Sequence, residues 1–363
     1  MKNTLSKWFY PITTPKSLDK VKSVIKSGFI NEGVLSNTLS KKIAKICSRK
    51  YATSVSSGST GLVAALLALG IKKNDIVLIP GFTFIATANA VSLIGANIHF
   101  VDIDLKSFCI CENKLEIELK KLKKKKKKIS ALITVEVNGR SPNYEKILKL
   151  SKKFNFPIIT DSAEALGSKY NNKPLGSYGD ISVISLSPNK IVTSAQGGIV
   201  LTNKKKLINL IEAIKKQGNH VRGDGGSDKF YTKGLNFKLS DVHSAIALGQ
   251  LNLLKKRLNN LKKINNTFKK LLPKDLFYFP KMIGGGNRLW VDCLVTNKVK
   301  AIKFLKKKRI AYREFWIPLN IQKAYSSSNY NLANAHFASK HGLWLSSNFE
   351  IKPNHIIENL KKY

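Results

Sequence analysis

A single lysine lies at the centre of a turn-rich segment between two apolar runs. Residues 181–203 read ISVISLSPNKIVTSAQGGIVLTN, and Lys190 is their only charged residue. The β-branched runs at 181–186 and 199–202 predict a strand, a loop and a second strand. Burial disfavours the charged form of an amine, and a neutral amine can form a Schiff base with a carbonyl compound such as pyridoxal phosphate. The alternative is a lone lysine on an ordinary solvated loop.

An aspartate suited to a pyridine nitrogen precedes this lysine in the chain. Residues 156–160 (FPIIT) predict a short buried strand that ends at Asp161 and is followed by SAEALG. The carboxyl ends of parallel strands face the crevice in which α/β proteins bind ligands, so this acid can meet a protonated ring nitrogen. The alternative is a strand-end aspartate that caps a turn.

A serine- and glycine-rich helix start predicts a phosphate site. Residues 52–56 predict a strand, and SGSTG at 57–61 opens a run of good helix formers, where amides and hydroxyls can approach an anion. A plain serine N-cap is the alternative. The flat surface for a cofactor ring is expected from Phe82 or Phe84, although aromatic residues after a strand such as 76–79 more often belong to the core.

Six ordered motifs, taken together, resemble one family. They are Gly58-Ser59, TFIATANA at 83–90, VDID at 101–104, DSAEALG at 161–167, SLSPNK with AQGG at 185–198, and GLNFKLSDVHSA at 234–245. In order and spacing they resemble the DegT/DnrJ/EryC1/StrS family of pyridoxal-phosphate-dependent nucleotide-sugar aminotransferases of fold type I. The likeness runs from about Phe9 to nearly the C-terminus.

The resemblance implies a fold and a cofactor, pyridoxal 5'-phosphate. We expect an α/β chain with a large domain (1–245) built on a mostly parallel seven-stranded sheet, and a smaller C-terminal α+β domain (246–363). Lys190 is implied to carry the cofactor as a Schiff base and to shuttle a proton. The other implied cofactor-binding residues are Gly58, Ser59, Phe84, Asp161, Glu164, Ser185 and, from the second subunit of a homodimer, Asn236.

The implied substrates are L-glutamate and a nucleotide-diphosphate keto-sugar. Candidate substrate residues are Gly33, His220, Arg222, Lys238 and Arg313. The chain departs from the usual family pattern at Glu136, Gln196 and Lys238, which puts the sugar in doubt more than the chemistry. Two alternatives stay open. The first is a sugar dehydratase, but the dehydratases of this family resemble the chain with histidine in place of Lys190, so the lysine argues against it. The second is a regulatory or polyanion-binding protein that retains the fold.

Alternating patterns predict the elements that must position these residues. Strands are expected near 52–56, 76–79, 97–101, 130–135, 156–160, 181–186 and 198–202, with helices between most of them, which is typical of a mostly parallel sheet covered on both faces. Two amphipathic helices precede them at 17–30 and 34–50, and the lysine run 120–128 ends another. After a loop at 218–233, one long helix is expected from Ser240, followed by strands near 289–295 and 310–315 and helices near 298–308 and 353–361.

Bulk properties narrow the class of protein. The chain has 363 residues, 63 Lys+Arg against 22 Asp+Glu, and a net charge of +41. The lysines are spread along the chain without interleaved aromatics, so we favour compositional drift over a specific nucleic-acid site. Four scattered cysteines predict neither a disulfide scaffold nor a metal site, and they suit a reducing cytoplasm. The sequence contains no long uncharged apolar run of the kind that predicts membrane insertion.

Overall fold

The chain folds around one large sheet and one small sheet. The computed structural model describes residues 13–219, 230–280, 282, 284, 286–327, 329–347 and 358. In chain order the strands are β1 (Tyr51–Val55), β2 (Ile76–Pro80), β3 (Asn97–Val101), β4 (Ile129–Val135), β5 (Ile158–Asp161), β6 (Lys169–Tyr170), β7 (Lys173–Pro174), β8 (Ile181–Ser185), β9 (Gly198–Thr202), β10 (Phe277–Tyr278), β11 (Val291–Val295), β12 (Tyr312–Glu314) and β13 (Gly342–Leu345). The α-helices are α1 (Pro15–Lys26), α2 (Val34–Ile46), α3 (Gly58–Ala68), α4 (Ala86–Leu93), α5 (Glu112–Lys124), α6 (Tyr144–Phe154), α7 (Lys205–Lys215), α8 (Asp241–Leu248), α9 (Leu254–Leu271), α10 (Lys298–Lys307) and α11 (Ala333–His341).

The large sheet has seven strands in the order β1-β9-β8-β5-β4-β2-β3. Neighbours from β8 to β3 run parallel, whereas β9 is antiparallel to both β8 and β1. Helices connect most of the parallel strands, as expected for a buried parallel sheet. The predicted α/β fold with a mostly parallel seven-stranded sheet is therefore confirmed.

The register of this sheet brings the carboxyl ends of several strands to one edge. Val135 of β4 pairs with Asp161 of β5, which pairs with Val183 of β8. On the other side, Ser185 of β8 pairs with Gly198, the first residue of β9. Residues predicted to bind the cofactor thus start from adjacent strand ends, where open α/β sheets bind ligands.

The small sheet is antiparallel, in the order β10-β11-β13-β12, and all of its residues follow position 246. Its own core includes Phe268, Cys293 and Leu343, all with 0 % exposure. The strands predicted near 289–295 and 310–315 are present as β11 and β12, but β10 and β13 were missed.

One predicted helix was wrong. The helix expected to run on from Ser240 ends at Leu248, and a short 3-10 turn (Leu251–Leu253) separates α8 from α9. The cause is the docking of α1, because Ser17 Oγ donates to the Ile246 carbonyl at 2.9 Å, and a Cβ on Gly249 would lie 2.4 Å from Ser17 Oγ. The predicted domain boundary at 245 falls inside α8, and the division itself stays a prediction.

Other expectations are met in part. The lysine run ends α5 as predicted, and its lysines are exposed. Most of the helix expected near 353–361 and most of the loop 218–233 lie outside the described residues. Among the helices that the structure describes, none is both long and apolar enough to cross a bilayer.

Candidate active site

A pocket of about 330 Å³ lies at the carboxyl ends of β4, β5 and β8, facing the small sheet. Eight of the predicted site residues line it: Gly58, Ser59, Phe84, Asp161, Glu164, Ser185, Lys190 and Arg313. They come from both sides of a groove, seven from residues before position 246 and Arg313 from β12. This pocket is the candidate active site.

The Lys190 side chain enters the pocket from the loop between β8 and β9. Only 11 % of the side chain is exposed, in agreement with the prediction from its apolar neighbours. Its Nζ lies 3.5 Å from Glu164 Oε1 and 5.0 Å from the centre of the Trp290 ring. Arg257 holds this loop in place, because its guanidinium donates to the Ile191 carbonyl at 2.8 Å. The amine is thus held between a carboxylate and the face of an indole.

Asp161 ends β5 and is 6 % exposed. Its Oδ2 accepts from Thr87 Oγ1 at 2.8 Å and its Oδ1 from the Ala163 amide at 3.2 Å. Burial raises the pKa of Asp161, and these two hydrogen bonds and the Lys190 charge offset the rise only in part. A buried carboxylate of this kind gains from a cationic partner in the pocket.

Glu164 follows on the turn after β5. Its Oε2 accepts from the Asn138 amide at 2.9 Å, and its other oxygen faces Lys190. Burial raises the pKa of this carboxyl too, whereas the Lys190 charge and the Asn138 hydrogen bond lower it. Glu164 and Asp161 therefore place two buried carboxyl groups in the pocket that holds the Lys190 amine.

The start of α3 closes another side of the pocket. Ser57 caps the helix, its Oγ accepting from the Thr60 amide at 3.1 Å. A Cβ on Gly58 would lie 3.1 Å from the Cβ of Ser185, so glycine allows the helix start to approach the end of β8. Ser185 Oγ and Ser187 Oγ lie 3.0 Å apart beside it. Amides at a helix start together with hydroxyls make a site for an anion such as phosphate.

The two candidate aromatic residues have different environments. Phe82 is fully buried and packs on Phe315 and Trp316, with ring centres 5.8 and 5.3 Å away. Phe84 lines the pocket and is 51 % exposed. Of the two, Phe84 presents a ring to a ligand.

The small-sheet side of the pocket is a wall of tryptophans. Trp290, Trp316 and Trp344 line it, and Trp344 lies 5.7 Å from Trp290 and 4.9 Å from Trp316, centre to centre. The Arg313 guanidinium lies 5.9 Å from the centre of the Trp344 ring. Arg313 was among the predicted substrate residues, but no local signal marked Trp290 or Trp344.

Other predicted residues lie elsewhere. Gly33 begins α2 and its amide donates to Asp241 Oδ1 at 2.9 Å, and Asn236 forms a bridge with Lys216. Gly33, Asn236 and Lys238 are absent from the lining of this chain's pocket. His220 and Arg222 lie outside the described residues.

Two of the departures from the family pattern are also away from the pocket. Glu136 has 0 % exposure, accepts a hydrogen bond from Tyr144 at the start of α6, and does not line the pocket. Gln196 is exposed and does not line the pocket.

Comparison with known proteins decides the family. The model of the DegT/DnrJ/EryC1/StrS aminotransferase family matches residues 11–361. The chain belongs to this family. The predicted enzyme class, an aminotransferase, is confirmed with it.

Two curated relatives of this aminotransferase are nucleotide-sugar enzymes by name. GDP-perosamine synthase of Escherichia coli O157:H7 is 30% identical over 323 residues, which are 88% of this chain and 86% of that enzyme. The UDP-4-amino-4,6-dideoxy-N-acetyl-beta-L-altrosamine transaminase of Campylobacter jejuni (strain 81-176) is 33% identical over 261 residues, 72% and 68% of the two chains. The solved structure of Helicobacter pylori PseC, an aminotransferase of pseudoaminic acid biosynthesis, superposes with a TM-score of 0.88 at 22% identity over 98% of both chains, and this likeness shows the shared fold.

Proposed function

We propose that this aminotransferase uses pyridoxal phosphate to move the amino group of L-glutamate to a keto group of a nucleotide-diphosphate deoxysugar. One observation carries the proposal. Lys190, Asp161, Phe84 and the start of α3 converge on a single pocket. Each supplies a different group that the cofactor needs, and they come from four separate segments of the chain.

The residues present fit the cofactor. Asp161 is a desolvated carboxylate suited to a protonated ring nitrogen. Gly58, Ser59 and Ser185 would form an anion cradle, in which a Cβ at position 58 would crowd Ser185. Phe84 would lie against the ring, and Glu164 would meet the ring hydroxyl. Asn236 would reach the phosphate of the partner subunit's site. When bound, the cofactor supplies the electron sink for the carbon that loses its proton.

Lys190 performs the proton transfer. Its amine accepts a proton from one carbon as a general base and returns it to another as a general acid. Glu164, 3.5 Å away, and the Trp290 ring face both attract the amine in its protonated form. The tryptophan wall keeps water from this side of the pocket, so that the proton is returned by the lysine.

The substrate class is supported by the relatives and by charge. Both curated relatives are named for GDP- or UDP-linked amino sugars. Arg313 beside Trp344 offers a cation and an aromatic face at the pocket, which suits a nucleotide diphosphate. A positive field from a net charge of +41 attracts the same anionic substrate. The aminated sugar would serve the synthesis of O-antigen, capsule or another glycoconjugate.

A homodimer with shared active sites is part of the proposal. Phe29, Ile30, Tyr231 and Leu235 are large apolar residues that the single chain leaves more than half exposed, and they flank Gly33 and Asn236. Apolar side chains grouped in this way are typical of an interface with another protein. A second copy of the chain would cover them and bring Asn236 to the other pocket. The four free cysteines suit an enzyme of the cytoplasm.

The absorbance spectrum of the purified protein with added pyridoxal phosphate tests the proposal. We expect a visible band that glutamate bleaches in the wild type, and that a nucleotide-linked keto-sugar restores. Lys190→Ala is expected to lower turnover about 10²- to 10⁴-fold, since it removes the proton-transfer group. A wild-type protein that shows no band at saturating cofactor would refute the proposed cofactor-dependent reaction. Salt-dependent retention on nucleic acid would then test the polyanion-binding alternative.

A further inference from the structure

Asn138 touches both groups that flank the Lys190 amine. It lies in a 3-10 turn (Val137–Gly139) directly after β4, is fully buried, and has a left-handed backbone with φ 51°. It does not line the pocket, and no motif marked it in the sequence. Its position behind Glu164 and Trp290 gives it contact with both sides of the lysine's environment.

The first contact is made by the main chain. The Asn138 amide donates to Glu164 Oε2 at 2.9 Å, which leaves the other carboxylate oxygen facing Lys190 Nζ. A buried carboxylate with one oxygen fixed in this way has few other orientations. Asn138 therefore sets the direction from which Glu164 meets the amine.

The second contact is made by the side chain. Asn138 Oδ1 accepts from the amides of Leu289 and Trp290 at 2.9 and 2.7 Å, and its Nδ2 donates to the Trp290 carbonyl at 2.9 Å. The carboxamide thus pairs with both polar groups of the Trp290 backbone, and the indole face lies 5.0 Å from Lys190 Nζ. The Asn138 side chain therefore fixes the backbone that carries this ring over the amine.

Neighbouring contacts hold the same two segments together without touching the amine's partners. Ser168 Oγ donates to the Gly139 carbonyl at 2.6 Å and accepts from the Asn287 amide at 2.7 Å. Arg140 pairs with buried Asp292, Nη2 to Oδ1 at 2.9 Å. The two segments are therefore joined at several points, of which Asn138 is the one that contacts Glu164 and Trp290.

We propose that Asn138 is a positioning residue for the transamination, acting by holding Glu164 and Trp290 on two sides of the Lys190 amine. The proposal rests on the proposed function, because it concerns the proton that Lys190 returns. With both flanking groups fixed, the amine delivers its proton from one direction. With Trp290 released, the amine has more freedom and water gains access to its side of the pocket.

Asn138→Gly is the test variant. Glycine adopts the left-handed backbone without strain and keeps the main-chain hydrogen bond to Glu164, so only the hold on Trp290 is lost. We expect kcat to fall on the order of 10- to 100-fold with little change in the KM for glutamate, since misplacement of a catalytic group acts on the chemical step. We also expect more exchange with solvent: Asn138→Gly holoenzyme incubated with α-deuterated L-glutamate should lose the deuterium to water faster, relative to turnover, than the wild type does.

A second measurement uses the protein without cofactor. Acetylation of Lys190 by an amine reagent, followed by peptide mass spectrometry, should be several-fold faster in Asn138→Gly than in the wild type, with exposed Lys262 as the internal reference. Ser168→Ala is the matched control, because it breaks two hydrogen bonds between the same segments. It should lower stability while leaving the ratio of deuterium loss to turnover and the labelling of Lys190 at wild-type values.

A double variant tests whether Asn138 lowers or raises kcat through the position of Trp290. If Asn138 acts through the indole, Trp290→Leu should lower kcat at least as much as Asn138→Gly, and the two changes together should do little more than Trp290→Leu alone. The inference is overturned if Asn138→Gly matches Ser168→Ala in the ratio of deuterium loss to turnover and in Lys190 labelling, or if the two losses in kcat multiply. Failure of the wild type to react with glutamate would instead remove the proposed function.

Discussion

The pocket has two walls, and they are built in different ways. The large-sheet wall places Asp161, Ser185 and Lys190 at strand ends and on the loop that follows, all from one continuous part of the chain. The small-sheet wall places Trp290, Arg313 and Trp344 on separate strands or beside them, and packs them against one another. One wall follows from local sequence, whereas the other exists only once distant strands have paired.

We infer from this difference that the large-sheet wall serves the chemical step and the small-sheet wall serves substrate recognition. Strand ends in a parallel sheet are rigid and hold polar groups at fixed spacing, which suits a cofactor that every member of a family shares. A wall of packed aromatic side chains can change its shape by substitution at single positions, without altering the large sheet. We therefore expect changes in the first wall to affect both half-reactions, and changes in the second to affect mainly the sugar.

The sharpest way to break this comparison is Asp161→Asn. A neutral amide does not hold a cationic ring nitrogen, so turnover should fall by about 100- to 1000-fold with glutamate and with the sugar alike. Stopped-flow absorbance of each half-reaction measures this. Thr87→Val, which removes only the hydroxyl that donates to Asp161, should lower turnover far less. Equal rates in Asp161→Asn and wild type would contradict the role of the first wall.

Glu136 tests what lies behind the first wall. Burial raises the pKa of this carboxyl from 4.5 to about 7, although Ser162, Tyr144 and the Gly176 amide all bond to it. Because the folded pKa is the higher one, the unfolded chain releases this proton first as the pH rises. Stability is therefore full below about pH 4.5 and decreases up to about pH 7, by about 3 kcal/mol from this group.

Glu136→Gln should remove that decrease. The measurement is urea unfolding at pH 5 and pH 7.5, with the variant expected to change less between the two than the wild type. Since Glu136 does not line the pocket, the KM for the sugar should stay the same. A variant with the full wild-type pH dependence would show that Glu136 is not the group that titrates.

Arg313→Ala sharpens the comparison from the other side. Loss of the guanidinium beside Trp344 should raise the KM for the nucleotide sugar about tenfold, the effect of one charge-assisted contact. The half-reaction with glutamate should change less. Lys306→Ala removes the same charge from an exposed position on α10 away from the pocket, and an equal rise in KM there would point to the overall field instead.

The smallest expected effect concerns the lysine loop. Ala195 has a left-handed backbone with φ 65°, a conformation that costs a residue with a Cβ about 1 kcal/mol. Ala195→Gly should therefore stabilise the protein by up to about 1 kcal/mol, measured as the free energy of unfolding. Ala213→Gly, inside α7, should destabilise it. A loss of stability in Ala195→Gly would mean that the alanine methyl group contributes packing.

The residues of the large-sheet wall could be predicted from the sequence for a physical reason. An isolated lysine in an apolar segment, an aspartate after a buried strand and a glycine-rich helix start are each written in a short consecutive stretch. The seven strands of the large sheet were likewise predicted close to their observed bounds, because their apolar runs are bounded by turns. The residues of the first wall were found because their surroundings are local.

The rest depends on contacts that no window of sequence contains. Asn138 and Trp290 meet across 152 positions. The helix break at Gly249 results from contact with Ser17, near the other end of the chain. Strand β13 follows α11 directly, with no loop between them, and its place in the small sheet depends on pairing with β11 and β12. Each of these features becomes visible only when the partner segment is known.

The strand order also has a consequence for synthesis on the ribosome. Strand β1 lies at one edge of the large sheet and pairs with β9, the last strand of that sheet to be synthesised. Since synthesis proceeds at roughly 5–20 residues per second, the nascent β1 waits on the order of 10 to 30 seconds for its partner. During that time its backbone groups are open to other chains or to chaperones. Nascent chains stalled before residue 198 should therefore be cleaved by protease near Tyr51, and those stalled well beyond residue 202 should resist.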